Sequence, residues 1–262
     1  HLESSATART LTTAMGVAEG YQQARPPVYS LPSSHDVYWR PHQQCPYFLS
    51  QLDKLYNSDE WKQLEQDQAD VLNRHDTDLR HVWNVYDRML VSNETSSDWD
   101  LIQALATQTE LWRFGPESVP VVSNTLQKIL DTTEDGLYVY TTHYTVLLSV
   151  LYALRWDPYE IPPYASAIVL ERVGDRFAVY YRRTTSDQLL GGNLVTLPCD
   201  DCIQPKLTLQ DWCSYCRNDS ADVCTTCSNG NPDMARPFGV ALRVGAIMRL
   251  IGFVAGKRRL KV

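Results

Sequence analysis

The chain contains no glycine-rich phosphate loop, no His-Glu-x-x-His pair, no internal repeat and no low-complexity tract, which removes the usual nucleotide-cradle and zinc-protease readings. Basic residues are also in short supply. Only 24 Lys and Arg stand against 31 Asp and Glu, for a formal net charge of −7 over 262 residues, so a phosphate-backbone binder is not expected. No charged-then-apolar leader precedes His1, and the sequence reads as a processed chain or the ordered part of a longer one. The 44% hydrophobic and 10% aromatic fractions exclude disorder, collagen and coiled coil as whole-chain descriptions. What remains is a mildly acidic chain with a real core, in one large domain or two small ones.

Cysteine use is lopsided. Cys45 stands alone, while Cys199-Cys202, Cys213-Cys216 and Cys224-Cys227 form three Cys-x-x-Cys pairs. That spacing suits zinc knuckles, with Cys213, Cys216, Cys224 and Cys227 as the candidate ligands, and it suits disulfides equally. The sequons at Asn93 and Asn218 are what a chain passing through the secretory pathway carries, and such a compartment favours disulfides over a metal. On that reading the protein resides in an extracellular or lysosome-like lumen. An odd count leaves one thiol free or paired outside the chain.

Periodicity organises the rest. Leu11, Met15 and Ala18 predict an amphipathic helix from Ser5 to Ala18, ending between Gly16 and Gly20, and Val28 to Leu31 alternates like a short strand. From Tyr47 to Ala106 the apolar residues keep helical spacing, notably Val82, Val85 and Met89, and the loop carrying Asn93 should lie at the surface. Helices are expected at Asp100 to Phe114 and Ser123 to Leu130. A strand at Leu137 to Tyr140 leads into a buried helix from Tyr144 to Leu154, and Ala167 to Glu171 with Phe177 to Arg182 reads as a hairpin. Alternation of this kind predicts an α/β layered fold with a helical insertion.

Near the C-terminus, Phe238 to Gly256 is a stretch of 19 mostly apolar and small residues followed by a basic run from Lys257, the pattern of a spanning helix with a cytosolic stop. Arg243 and Arg249 oppose this, because a central arginine costs about 2.5–3.5 kcal/mol on insertion scales and the two lie about 120° apart on a helix. An interfacial or partner-bound helix, in possible contact with a membrane, is the competing description.

Tyr140-Thr141-Thr142-His143-Tyr144 ends a strand and opens a helix, where a side chain and backbone amides can meet an anion. A histidine there is by itself usually structural. Its surroundings nevertheless resemble the histidine acid phosphatases, branch two of the histidine phosphatase superfamily. Leu137 to Leu154 with Pro162-Pro163-Tyr164-Ala165-Ser166 is similar to the family's Ser-Ala-His-Asp-Thr-Thr strand, following helix and Pro-Pro-Tyr-Ala-Ser entry. Arg9-Thr10-Leu11, Cys45-Pro46, Trp83-Asn84-Val85-Tyr86-Asp87 with Asn93-Glu94-Thr95, Tyr180-Tyr181-Arg182 and Leu197-Pro198-Cys199 match further family segments, in order, from about Ser4 to Trp212.

The resemblance implies a three-layer core with a mixed sheet, made of 1–46 and 116–212 and incomplete at its start, a helical cap over 47–115, and a Cys-rich segment with an apolar-basic tail over 213–262. It also implies a chemistry of phosphate monoesters: a nucleophilic histidine, arginines and a second histidine around the phosphate, and an aspartic acid that protonates the leaving alcohol. His143 falls on the second histidine. Tyr144 falls on the acid, where a phenol of pKa about 10 is a poor proton donor. Glu3 falls on a phosphate-clamping arginine and should repel a dianion. The Arg-His-Gly-x-Arg-x-Pro motif that carries the nucleophile is absent from all 262 residues.

The implied protein is thus a degenerate phosphatase fold kept as a binding or structural subunit. The alternatives are an active acid phosphatase relying on an N-terminal fragment outside this chain, and a Cys-rich zinc module that binds partners. Because the family's nucleophile strand is central in its sheet, a retained N-terminal fragment or a partner strand is expected to complete the sheet here. The resemblance further implies that Cys45 pairs with a cysteine among Cys213 to Cys227, and that Cys199 and Cys202 close a small loop. Trp61, Trp83, Trp99 and Trp112 of the cap are expected to be mostly core, with any exposed pair a candidate partner surface.

Overall fold

The computed structural model describes residues 1–21, 26–132, 135–154, 158, 160–173, 176–182, 194–197, 216 and 251–253. Its strands are β1 (Leu2–Ser4), β2 (Val28–Ser30), β3 (Tyr138–Thr141), β4 (Ala167–Val173), β5 (Arg176–Arg182), β6 (Leu194–Leu197) and β7 (Ile251–Phe253). They form one mixed sheet in the order β2-β1-β3-β7-β4-β5-β6. The pairs β1–β2, β1–β3 and β3–β7 are parallel, and β4–β7, β4–β5 and β5–β6 are antiparallel. The helices are α1 (Ala8–Gly20), α2 (Pro46–Tyr56), α3 (Asp59–Asp67), α4 (Ala69–Arg74), α5 (Val82–Ser92), α6 (Trp99–Arg113), α7 (Ser123–Leu130) and α8 (Tyr144–Ala153). The fold is mixed α/β, as the alternation predicted.

Successive residues of β3 face opposite sides of the sheet. Val139 packs with Leu2, Val28, Ala14 and Ala18 beneath α1, whereas Tyr140 joins Leu126, Ile129, Leu147 and Leu151 of α7 and α8 with Ile168 and Val179 of the hairpin. Helices therefore cover both faces; α8 is buried from Val146 to Leu151 because the sheet lies on one side of it and the cluster of Val37, Phe48, Phe114 and Val121 receives Leu148 on another.

The first element departs from the periodicity reading. The chain opens with a strand, β1, and α1 starts only at Ala8 after an extended Thr7. Its buried stripe is Thr10, Ala14 and Ala18, while Met15 is 57% exposed. Small side chains at four-residue spacing let the helix lie close on the sheet, and that closeness outweighs the larger apolar side chain. Gly16 does not end the helix, which runs on to Gly20.

The central position between β3 and β4 is occupied by β7, from the chain's own C-terminal part. Ile251–Phe253 therefore lies in the sheet rather than in the helix expected over Phe238 to Gly256; the other residues of that stretch lie outside the described ones. Two facing strand edges carry unpaired backbone groups that only a third strand can satisfy, which outweighs the helical preference of an apolar run. No helix among the described residues is long and apolar enough to cross a membrane.

Helices α2 to α6 carry a hydrophobic cluster of their own, in which Trp61 is buried together with Val71, Val82, Val85, Met89 and Ile102. Ser58 caps α3 by accepting the Trp61 amide, a contact worth about 1 kcal/mol. Trp83 and Trp99 are half-buried and Trp112 is 39% exposed, so the four tryptophans present one exposed ring rather than a pair. Asn93 ends α5 in the left-handed region with φ 53° and is exposed, the surface position expected for its sequon.

Candidate functional site

Strand β3 stops at Thr141 because Thr142 and His143 turn the chain into α8. His143 takes an extended conformation, with ψ 154°, and its carbonyl accepts the first helical bonds from Val146 and Leu147. Thr142 Oγ1 donates to the Trp39 carbonyl at 2.8 Å, and Thr141 Oγ1 donates to the Thr10 carbonyl at 3.2 Å. These bonds bring the start of α1, and with it Arg9, beside His143.

Both ring nitrogens of His143 are engaged. Arg9 Nη2 lies 3.4 Å from Nδ1, and Ser5 Oγ lies 3.1 Å from Nε2. A guanidinium can only donate, so Nδ1 accepts and Nε2 carries the proton toward Ser5. Ser5 Oγ continues to Thr10 Oγ1 at 2.9 Å, which donates to the Ser5 carbonyl at 2.8 Å. Burial, then the charges of Arg9 and Arg40, push the His143 pKa down to about 4, so the ring is neutral near pH 7.

His143 opens on a cavity of about 210 Å³ between α1, α5, α6 and the Glu160 to Tyr164 segment. Arg9, Thr142 and His143 line it together with Trp83, Tyr86 and Asp87 of α5 and with Glu160 and Tyr164. Burial, then the charges of Glu160 and Asp87, raise the pKa of Tyr86, which locates both carboxylates near its phenol. A shallower depression of about 580 Å³ adjoins along α6 toward Trp112 and shares Gln103, Thr107 and Glu160.

Tyr144 lines the cavity with its ring, 4.5 Å from Trp83, but its hydroxyl donates to Glu110 Oε2 at 2.5 Å. Glu110 is fully buried and its other oxygen accepts from Arg113 Nη1 at 2.5 Å. Burial, then the Glu110 charge and the hydrogen bond to it, raise the Tyr144 pKa well above its usual value. A phenol so held is a still poorer proton donor than a free one.

Glu3 is not among the cavity residues. It faces Lys128 Nζ at 2.7 Å, His1 Nε2 at 2.7 Å and Trp39 Nε1 at 3.0 Å. Burial pushes its pKa up, but the His1 hydrogen bond and the Lys128 charge outweigh this and hold it below the usual value. The structure thus brings together Arg9, His143 and Tyr144 and holds Glu3 in a separate charge cluster.

No family model and no curated protein matches this chain. The likeness to histidine acid phosphatases therefore rests on the segments quoted above.

Cys45 and Cys216 form a disulfide, with Cα atoms 4.6 Å apart, inside a cluster of Val37, Phe48, Phe114, Val121 and Leu148. Bonded in this way, Cys216 cannot serve as a zinc thiolate. Cys199, Cys202, Cys213, Cys224, Cys227 and Asn218 lie outside the described residues. Among the described residues no group of three or more His, Cys, Asp or Glu is placed to hold a metal.

Sequence reasoning passed over the α5 wall and the Glu110–Arg113 pair. The first had a signal: Trp83, Tyr86, Asp87 and Leu90 recur at three- and four-residue spacing, on a face turned about 120° from Val82, Val85 and Met89. The second had none, because only packing shows that Glu110 is buried.

Proposed function

We propose that this protein is a catalytically degenerate, acid-phosphatase-like binding protein, with a three-layer phosphatase-like core and a helical cap, serving as a ligand-binding or structural subunit of a larger assembly. The observation that carries this reading is the commitment of the Tyr144 hydroxyl to Glu110: the position at which the resemblance requires a proton donor is occupied by a phenol already spent. The charge balance supports it as well. One guanidinium, Arg9, lines the cavity with two carboxylates, Asp87 and Glu160, and a phosphate dianion held by Arg9 would face both. A secretory location is supported by the Cys45–Cys216 bridge and by the exposed Asn93.

The test is phosphate release from p-nitrophenyl phosphate between pH 3 and 8, together with intact-mass analysis of the native preparation. No turnover above background is expected. Turnover that disappears in His143→Ala would overturn the reading, and an Arg-His-Gly-bearing fragment in the preparation would point to the alternative of an active two-fragment phosphatase.

A further inference from the structure

Helix α6 carries its exposed charge only at its ends. Between Asp100 in its first turn and Arg113 at its last residue the one charged side chain is Glu110, and it is fully buried. A solvent-facing helix side normally carries charged side chains, often paired at four-residue spacing. Here it is built instead of amides, a hydroxyl and an indole: Gln103, Thr107, Gln108 and Trp112 line the open depression of about 580 Å³, with Asp100 at one end. The stripe from Asp100 to Leu111 is about 16 Å long, at about 1.5 Å per residue. Thr109, on the buried side, donates its hydroxyl to the Leu105 carbonyl at 2.9 Å, whereas the side chains of Gln103, Thr107 and Gln108 form no hydrogen bond with any described residue. Trp112 is 39% exposed and in ring contact with the buried Trp61, centroids 6.2 Å apart, so an apolar surface is held beside these free polar groups.

The lining selects among ligand classes. An anion calls for Arg, Lys or His, and none of these is among the described residues that line the depression. A protein interface centres on several apolar and aromatic anchors, and here Leu111 and Trp112 stand at one end of a polar stripe. A sugar fits both parts, since its hydroxyls donate and accept, as amides and hydroxyls also do, and its C–H groups can lie against an indole. We propose that this face of α6 binds a neutral oligosaccharide, with Trp112 as the platform for one sugar ring and with Gln103, Thr107 and Gln108 hydrogen-bonded to hydroxyls along its length. The extent of the stripe suits several linked sugars rather than one. The site goes beyond the binding reading above, because Gln108, Leu111 and Trp112 line the depression and not the cavity beside His143.

The experiment titrates the full chain with neutral trisaccharides of glucose, mannose, galactose and N-acetylglucosamine and with the matching monosaccharides, following the Trp112 indole NMR resonance assigned through Trp112→Phe. At least one trisaccharide is expected to shift that resonance, and its monosaccharide to bind about ten-fold more weakly or worse. Gln108→Ala should weaken the trisaccharide about ten-fold, and Trp112→Ala should weaken it by about ten-fold or more. If no trisaccharide moves Trp112, or if binding is indifferent to both variants in their normally folded state, the assignment is overturned. Equal affinity for trisaccharide and monosaccharide overturns the extended site. Self-association in sedimentation that Trp112→Ala abolishes, without sugar binding, would show a protein contact on this face and overturn the proposal as well. The reading of the His143 cavity falls by a different result, the turnover of p-nitrophenyl phosphate, so the two failures are told apart.

Discussion

Two carboxylates, one half-buried and one fully buried, flank the β3–α8 junction and reach opposite electrostatic outcomes. Glu3, on β1, is 14% exposed and meets Lys128, His1 and the Trp39 indole; its partners outweigh its burial and its pKa falls. Glu110, on α6, is fully buried between Arg113 and Tyr144; burial outweighs the same kinds of partner and its pKa rises. Partners of similar kind thus leave a carboxylate easier to ionise where some water remains and harder to ionise where none does. The same contrast separates the two would-be site positions. Glu3 has been drawn into a structural cluster beside the sheet, and Tyr144 has been drawn into one beneath the helical block.

The strongest way to break the comparison is to remove one cation from each cluster. Arg113→Ala leaves Glu110 without its counter-ion in a dry site and should cost about 3–5 kcal/mol in denaturant unfolding. Lys128→Met keeps the stem over the Tyr38 ring, 4.4 Å from Nζ, and leaves Glu3 two donors, so its cost should be about 1 kcal/mol. Equal losses would show that the two sites do not differ in hydration.

A smaller effect is expected from Tyr144→Phe. The ring contacts with Trp83 and Phe114 survive, one hydrogen bond to a charged group is lost, and stability should fall by about 1.5–3 kcal/mol. Phosphate release should not change, because the hydroxyl has no catalytic duty in this reading. A stabilised variant would mean that the phenol is not bound to Glu110.

The finest test is a difference in sign. Glu3 has a depressed pKa, so its contribution is present above 4.5, its unfolded value, and is lost as pH falls through the folded one. Glu110 has a raised pKa, so its contribution is present below 4.5 and is lost as pH rises through its folded value. The stability cost of Glu3→Gln should therefore grow with rising pH, and that of Glu110→Gln should shrink. Parallel pH profiles for the two variants would contradict the assignment.

Much of this architecture is legible in the residues. The helices over Asp100 to Phe114, Ser123 to Leu130 and Tyr144 to Leu154 agree with α6, α7 and α8 to within a residue, since long periodic segments decide their own type. The hairpin was marked by its two β-rich runs and lies in register from Ala167↔Arg182 to Val173↔Arg176. Three residues of β1 were too short to read, and the apolar character of Ile251–Phe253 fits a helix and a strand equally. His143 could be named as a site residue, but its 3.4 Å contact with Arg9 spans 134 residues.

Local pattern, then, determined the mixed α/β class, the helical block and the strand-to-helix turn at His143, because each follows from periodicity and short-range backbone preference. Tertiary structure alone decided which strand fills the centre of the sheet, that Cys216 is the partner of Cys45, that Glu3 turns to Lys128, and that the Tyr144 hydroxyl is bound to Glu110. Those outcomes depend on which groups lose water and which meet a partner across the fold, and neither hydration nor distance is written in a linear order of residues.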